Sequence, residues 1–193
     1  MDADWSVELG VGEATLEVPW AAPDGRLRFV DLRAHPEQVD ELEEVRRYPE
    51  MGEFLRAMNG ASSRLVTAKC DVWESCEIEP AEEIFEATHK VGSYCDVILE
   101  RGRLSFTRQE AFVRRVAEIL RGSPWIPASS EFVVRRCVFR EAEASADGFC
   151  ITCFLVGYGK GRAAALRQWR IALHLVSSAL LQTAAQGSAP DQC

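Results

Sequence analysis

The sequence is poor in several features that mark common classes of protein. It has three histidines and no second Cys-x-x-C besides Cys150 and Cys153, so it offers few ligand sets for a metal ion. No run approaches the roughly 18 consecutive apolar residues that span a membrane. The first residues, MDADWSVELG, show neither the basic flank nor the apolar stretch of a secretory signal. We therefore expect a cytoplasmic protein with no membrane contact, no metal and no cofactor.

The composition is that of a folded domain. The chain has 193 residues, of which 47% are hydrophobic and 27% charged, which suits a single domain over residues 1–193. Seven cysteines without a tight spacing pattern indicate reduced thiols rather than a disulfide framework. The abundance of alanine and arginine suggests a bacterial protein.

Charge is divided unevenly along the chain. Residues 1–100 hold 23 acids and 9 bases, a balance of -14, whereas residues 101–193 hold 7 acids and 13 bases, a balance of +6; together they give the net -8. If the two halves form separate surfaces, the dipole would orient a charged partner or favour self-contact. The alternative is that the halves neutralise each other within one fold.

Two strand-like segments followed by a helical one recur three times, over residues 5–60, 61–124 and 125–185. In the first unit, segments 6–18 and 25–33 flank the turn signal APDG, and Pro49 should interrupt the helical pattern at 35–60. This order predicts an α+β fold with an antiparallel sheet built from three hairpin-plus-helix (ββα) units and helices packed on one face. Residues 186–193 are expected to form a frayed tail.

The helix of the second unit has the clearest boundary signals. Thr107 and Glu110 have the spacing of a capping box, and Gly122 stands where the apolar periodicity ends. In the strand before this helix, Gly92 is a candidate for a β-bulge.

The stretch VGYGKGR, residues 156–162, lies between a predicted strand and the last predicted helix. A glycine-rich turn at a helix N-terminus can present backbone N–H groups to an anion. The candidate anion-binding residues are Gly157, Gly159, Lys160, Gly161, Arg162, Arg167 and Arg170. The stretch matches neither common nucleotide loop, so ordinary turn chemistry is the alternative.

A cationic stripe is predicted on the last helix. Arg167, Arg170 and His174 are spaced by three and four residues, so they share one helix face. A solvated surface is one interpretation and a polyanion contact is another, but the acidic net charge argues against nucleic acid.

An acidic connection, DVWESCEIEPAEEIFE, carries seven carboxylates around one tryptophan. Its predicted use is contact with a basic protein surface, on another protein or on a second copy of this chain. The candidate interface residues are Trp73, Glu74, Glu77, Glu79, Glu82 and Glu83.

The cysteines and histidines form no complete catalytic set. Cys150 and Cys153 should point to opposite faces of a strand, while Cys70 could approach His89 if their strands pair. His89 and Cys95 would be about 20 Å apart on a regular strand, too far for proton transfer unless the strand bends at Gly92.

Two functional hypotheses follow. The first is a non-catalytic protein-binding module of the adaptor, chaperone or immunity type. The second is a binder of an anionic small molecule or nucleotide at residues 157–162, which could extend to an enzyme.

Overall fold

The computed structural model describes residues 1–10, 15–22, 24–141 and 144–186. The described residues form an α+β fold. Its strands are β1 (Asp2–Glu8), β2 (Leu16–Val18), β3 (Leu65–Ser75), β4 (His89–Leu99), β5 (Ala128–Glu141) and β6 (Ala144–Gly159). Its helices are α1 (Glu43–Arg47), α2 (Pro49–Asn59), α3 (Phe106–Arg121) and α4 (Arg162–Gln186), and short 3-10 segments cover Pro36–Glu41 and Pro80–Phe85.

The strands form one mixed sheet in the order β1-β5-β6-β4-β3, and β2 also lies alongside β5. The pairs β3–β4, β4–β6 and β5–β6 are antiparallel, whereas β1 and β2 both run parallel to β5. The predicted α+β class is therefore confirmed, but the sheet is not wholly antiparallel. Strand-strand-helix does recur along the chain, yet β1 and β2 do not pair with each other, so the three ββα units are not confirmed.

The turn signal APDG belongs to a connection and not to a hairpin of the sheet. Ala21 forms an isolated bridge with Arg28, and the backbone N–H of Phe29 donates to the carbonyl of Trp20 at 2.8 Å. Residues 25–33, predicted as a strand, therefore do not join the sheet. Pro23 of this turn and the predicted tail beyond Gln186 lie outside the described residues.

Helix boundaries follow the proline signals closely and the capping signal less so. Pro49 separates α1 from α2, as predicted, and Gly60 follows the end of α2. The predicted capping box at Thr107 is wrong, because α3 begins two residues earlier. Its N-cap is Ser105, whose hydroxyl accepts a hydrogen bond from the backbone N–H of Arg108.

The main core lies between one face of the sheet and helices α2, α3 and α4. Trp169 of α4 is fully buried there, and its indole N–H donates to the Ser93 hydroxyl of β4 at 3.0 Å. The other face carries a smaller apolar cluster of Ile98, Cys137, Phe139 and Cys150, against which residues of β2 and β3 pack. This cluster therefore extends over strands β4, β5 and β6 on that face.

Candidate functional site on the open face of the sheet

The face of the sheet that is turned away from the helices carries a row of side chains in cross-strand register. Asp71 lies opposite Tyr94, Tyr94 opposite Phe154, and Phe154 opposite Glu131. In β1 the row ends at Asp4, beside Glu131. We call this set the acid–aromatic row. One acid, Asp71, therefore flanks the two aromatic rings on the β3 side, and two acids, Glu131 and Asp4, flank them on the other side.

The aromatic side chains of this face are half-buried and touch each other. The ring centroids of Tyr94 and Phe154 are 6.1 Å apart. Trp73 lies over Gly92, where an added β-carbon would stand only 2.4 Å from the Trp73 ring. A side chain at position 92 would therefore clash with the Trp73 ring. The bulge predicted at Gly92 is wrong, and the irregularity lies in β3 between Thr67 and Cys70.

A carboxyl group lies at the base of a cavity beside the acid–aromatic row. Asp96 of β4 is only 7% exposed, and its Oδ1 accepts a hydrogen bond from the Thr152 hydroxyl at 2.6 Å. Burial raises the pKa of the Asp96 carboxyl, while the Thr152 hydrogen bond and the charges of Arg135 and Lys69 act in the opposite direction. The cavity measures about 320 Å³ and is lined by Thr15, Leu16, Lys69, Tyr94, Asp96, Arg135, Cys150, Thr152 and Phe154. We call it the Asp96 pocket.

The two cations of the Asp96 pocket have partners of their own. Arg135 forms an ion pair with Glu8 at 2.8 Å, and its guanidinium lies 5.7 Å from the centroid of the Phe154 ring. The Lys69 ammonium lies 5.4 Å from the centroid of the Trp20 ring. Both aromatic faces therefore already accept a cation from within the chain.

A larger groove of about 790 Å³ adjoins this pocket and shares Thr15, Leu16, Lys69 and Tyr94 with it. Residues between 15 and 32 form one side, held to the β3 edge by the Trp20 indole N–H, which donates to the Ala68 carbonyl at 2.6 Å. Its lining is largely apolar, with Leu27, Val30 and Leu32 among the contributors, and Glu44 of α1 and Leu55 of α2 also line it. The groove therefore lies at the β3 edge of the sheet, next to the aromatic surface and the buried carboxyl of the open face.

The predicted anion site at residues 157–162 has a different geometry. An added β-carbon at Gly157 would lie 2.2 Å from the Trp169 backbone nitrogen, and one at Gly159 would lie 2.4 Å from the Ala165 nitrogen. These two glycines let β6 pack directly against α4. Gly161 alone of the three has a positive φ, 118°, with nothing within 4 Å of an added β-carbon. Close packing explains the glycine spacing without a ligand, and the anion site stays a prediction.

The basic residues of that stretch face carboxylates. The Arg162 guanidinium donates to both oxygens of Glu74, at 2.6 and 2.7 Å, and Glu74 also accepts from the Tyr48 hydroxyl at 2.7 Å. Lys160 lies 3.5 Å from Glu86. An acidic neighbour thus offsets the unfavourable position of Arg162 at a helix N-terminus.

The stripe on α4 is exposed as predicted, since Arg167, Arg170 and His174 share the outer face of the helix. Arg170 forms an ion pair with Glu50 of α2 at 2.7 Å. Arg167 of the predicted anion site points to the same outer face and not toward the glycine turn.

The structure brings only some of the predicted interface residues together on one surface. Trp73 is on the open face, whereas Glu74 is held by Arg162, and Glu82 accepts from Lys90 at 2.7 Å and from the Tyr158 hydroxyl at 2.8 Å. Glu77, Glu79 and Glu83 are exposed. The structure therefore gives two of the six a structural partner and leaves three on the surface of the acidic connection.

Charges from the two halves of the chain meet within the fold. Among the residues that the structure describes, six ion pairs join an acid of residues 1–100 to a base of residues 101–193: Arg121–Asp4, Arg135–Glu8, Arg140–Glu17, Lys160–Glu86, Arg162–Glu74 and Arg170–Glu50. The opposite charges of the two halves therefore partly neutralise each other within the molecule. The uneven charge along the sequence does not by itself indicate a binding partner.

The six described cysteines are free thiols: Cys95, Cys137, Cys150 and Cys153 are buried, Cys70 is half-buried and Cys76 is exposed. Cys150 and Cys153 point to opposite faces, as predicted, since they belong to different apolar clusters. Cys70 lies opposite Cys95 and not His89, so the expected approach of Cys70 to His89 is wrong. Across the described residues, no three side chains of histidine, cysteine, aspartate or glutamate gather in a way that could hold a metal ion.

Apart from Trp73, the residues of the open face were not predicted from the sequence, although one signal was present. Asp96 interrupts an otherwise apolar strand, KVGSYCDVILE, and the two-residue period of a strand places Tyr94 on the same face. Cross-strand register then adds Phe154, Thr152 and Glu131, and only the structure supplies that register.

No family of proteins, no curated protein and no solved structure matches this chain. Within the described ranges, no helix combines the length and apolar character needed to cross a bilayer.

Proposed function

We propose that this protein is a non-catalytic protein-binding module that holds a basic segment of another chain against the open face of its sheet. The observation that carries this proposal is the acid–aromatic row, in which half-buried rings lie between exposed carboxylates on neighbouring strands. Aromatic anchors supply contact area, while flanking charges select the partner and speed its approach.

The row has the polarity that suits a basic partner. Asp71 and Glu131 are exposed at its two sides; Asp71 accepts only from the adjacent Val72 N–H, and Glu131 accepts from the Ser6 hydroxyl. Neither carboxylate is paired with a base among the described residues. The exposed Glu77, Glu79 and Glu83 of the acidic connection extend the negative surface beyond the β3–β4 end of the sheet.

The experiment is a selection of peptides from a random display library on the immobilised protein. Selected peptides should be enriched in lysine and arginine, and their affinity should fall as salt rises, because exposed charges are screened over about 10 Å at 0.1 M ionic strength. Asp71→Lys should weaken their binding about tenfold or more, which corresponds to about 1.4 kcal/mol.

The matched control is Asp147→Lys, which makes the same charge change at an exposed acid near the start of β6. It should leave peptide affinity unchanged. Peptides without a basic bias, or equal weakening by the two substitutions, would contradict the proposal.

A further inference from the structure

The carboxyl of Asp96 is incompletely satisfied for a group so deeply buried. It is 7% exposed, and Thr152 is its hydrogen-bond donor among the described residues, through Oδ1 alone. The second oxygen, Oδ2, has no donor there and is not closed off from the Asp96 pocket. A buried carboxylate normally has a charged partner or several donors, because removing it from water is costly.

The neighbouring cations do not supply that partner. Arg135 and Lys69 line the pocket, but neither forms an ion pair with Asp96 in the part of the chain that the structure describes. Arg135 is directed to Glu8 and Phe154, and Lys69 to Trp20. The described residues therefore leave the free oxygen of Asp96 without a donor, which a bound group would supply.

The walls of the Asp96 pocket fit a cationic donor. The Tyr94 ring stands on the same face as Asp96 and carries no cation among the described residues, whereas Arg135 already lies over the Phe154 ring; aromatic faces attract ammonium and guanidinium groups. Leu16 lines the same pocket and gives it an apolar side. The volume of about 320 Å³ admits a small organic group and is at the lower end for ligand sites.

We propose that the Asp96 pocket binds an ammonium or guanidinium group, with Asp96 as its acceptor and the rings of Tyr94 and Phe154 beside it. The group belongs either to a small organic amine or to a lysine or arginine side chain of a bound protein. This inference shares the Tyr94 and Phe154 rings with the acid–aromatic row, but it stands on the buried Asp96 carboxyl, so its test is separate from the peptide selection.

The test uses butylguanidinium chloride and its uncharged analogue butylurea, titrated into the whole protein by isothermal calorimetry and by amide chemical shifts. Butylguanidinium should bind and shift the amides of residues 94–96 and 152, whereas butylurea should not. Asp96→Asn should weaken butylguanidinium binding at least about tenfold, and Asp147→Asn, the same substitution at an exposed site, should have no effect.

A second variant keeps the carboxyl in place. Thr15 is exposed and lines the pocket, so Thr15→Trp should obstruct it and weaken binding while Asp96 is untouched. The peptide Ac-Gly-Arg-Gly-amide forms the other arm: tighter binding than butylguanidinium assigns the group to a protein side chain, and weaker binding assigns it to a small molecule. Equal binding of butylurea, or full binding by Asp96→Asn, would overturn the inference.

Discussion

Gly157→Ala tests whether the glycine-rich stretch before α4 exists for packing or for an anion. The added β-carbon would lie 2.2 Å from the Trp169 nitrogen, 2.6 Å from its Cα and 2.8 Å from the Ala165 carbonyl oxygen. All three are backbone atoms of α4, so no side chain can rotate away to relieve the clash. Either α4 or β6 must shift by more than 1 Å, roughly, to restore ordinary contact distances of about 3.5 Å.

The expected cost follows from where this shift occurs. Trp169 is fully buried and fills the core between the sheet and α4, so a displaced helix disturbs packing along its whole inner face. Overpacking a dense core costs about 1–3 kcal/mol and sometimes more, and a backbone clash should fall at about 3 kcal/mol. For a chain of this length, that corresponds to a fall in Tm of about 6–12 °C.

Gly161→Ala is the control in the same stretch. Nothing lies within 4 Å of its added β-carbon, but its φ of 118° strains an alanine, so about 1–2 kcal/mol should be lost. Both variants are compared with the wild type by urea and thermal unfolding, with and without inorganic phosphate.

Two results would refute the packing explanation. One is a Gly157→Ala variant that loses no more stability than Gly161→Ala. The other is a wild type stabilised by phosphate, about 2.7 kcal/mol at 100 times the dissociation constant, with that gain absent in Gly157→Ala.

Three further predictions concern titratable groups. Burial raises the pKa of the Asp96 carboxyl, so its protonated form stabilises the folded state below about pH 3.8 and this stabilisation is lost as pH rises. Urea unfolding should therefore show Asp96→Asn to be more stable than the wild type at pH 7 but not at pH 3. Hydrogen bonds from Arg162 lower the pKa of Glu74, so the ionised carboxylate stabilises the folded state above pH 4.5 and this stabilisation is lost as pH falls. The Tm of Glu74→Gln should therefore fall less on acidification than the Tm of the wild type. With the C-terminal cysteine replaced by serine, Ellman's reagent should label exposed Cys76 quickly and the other thiols slowly, since burial raises the pKa of Cys70 to about 12.

The parts of the fold that local signals specify were predictable. The hairpins β3–β4 and β5–β6, each followed by its helix, and the break at Pro49 all follow from alternation, turn residues and prolines close in sequence. The partner of β1 was not predictable, because Trp5 pairs with Phe132, far along the chain. Period-2 alternation indicates a strand, but it carries no information on which distant strand lies beside it.

The start of α3 shows how two local signals compete. Thr107 and Glu110 match a capping box, while Ser105 has no acid at the third position after it. The helix nevertheless begins after Ser105, where the Gln109 side chain also donates to the Gly102 carbonyl at 3.1 Å. A contact with the preceding loop therefore outweighs the side-chain pattern.

The candidate site was hidden for the same reason as the sheet order. Its members come from β1, β3, β4, β5 and β6, and the spacing of residues within one strand shows which face they share but not which strand lies beside them. The most suggestive motif, by contrast, was local; its Gly157 and Gly159 pack β6 against α4, and its Arg162 joins α4 to Glu74 of β3. Local glycine and basic residues can be required by close packing as readily as by a ligand.

Under the proposed function, the unpaired charges favour a different protein over a second copy of this chain as the partner. Two copies meeting face to face through the acid–aromatic row would bring Asp71 and Glu131 near their own equivalents, and like charges at a closed interface repel. The complementary surface on this chain is the outer face of α4, where Arg167 and His174 have no acidic partner among the described residues. A contact between the row of one copy and α4 of the next copy is a head-to-tail contact. Such contacts build open filaments unless the rotation between successive copies closes a ring. A basic segment of a different protein would satisfy the carboxylates of the row without either consequence, which supports the proposed function over self-association.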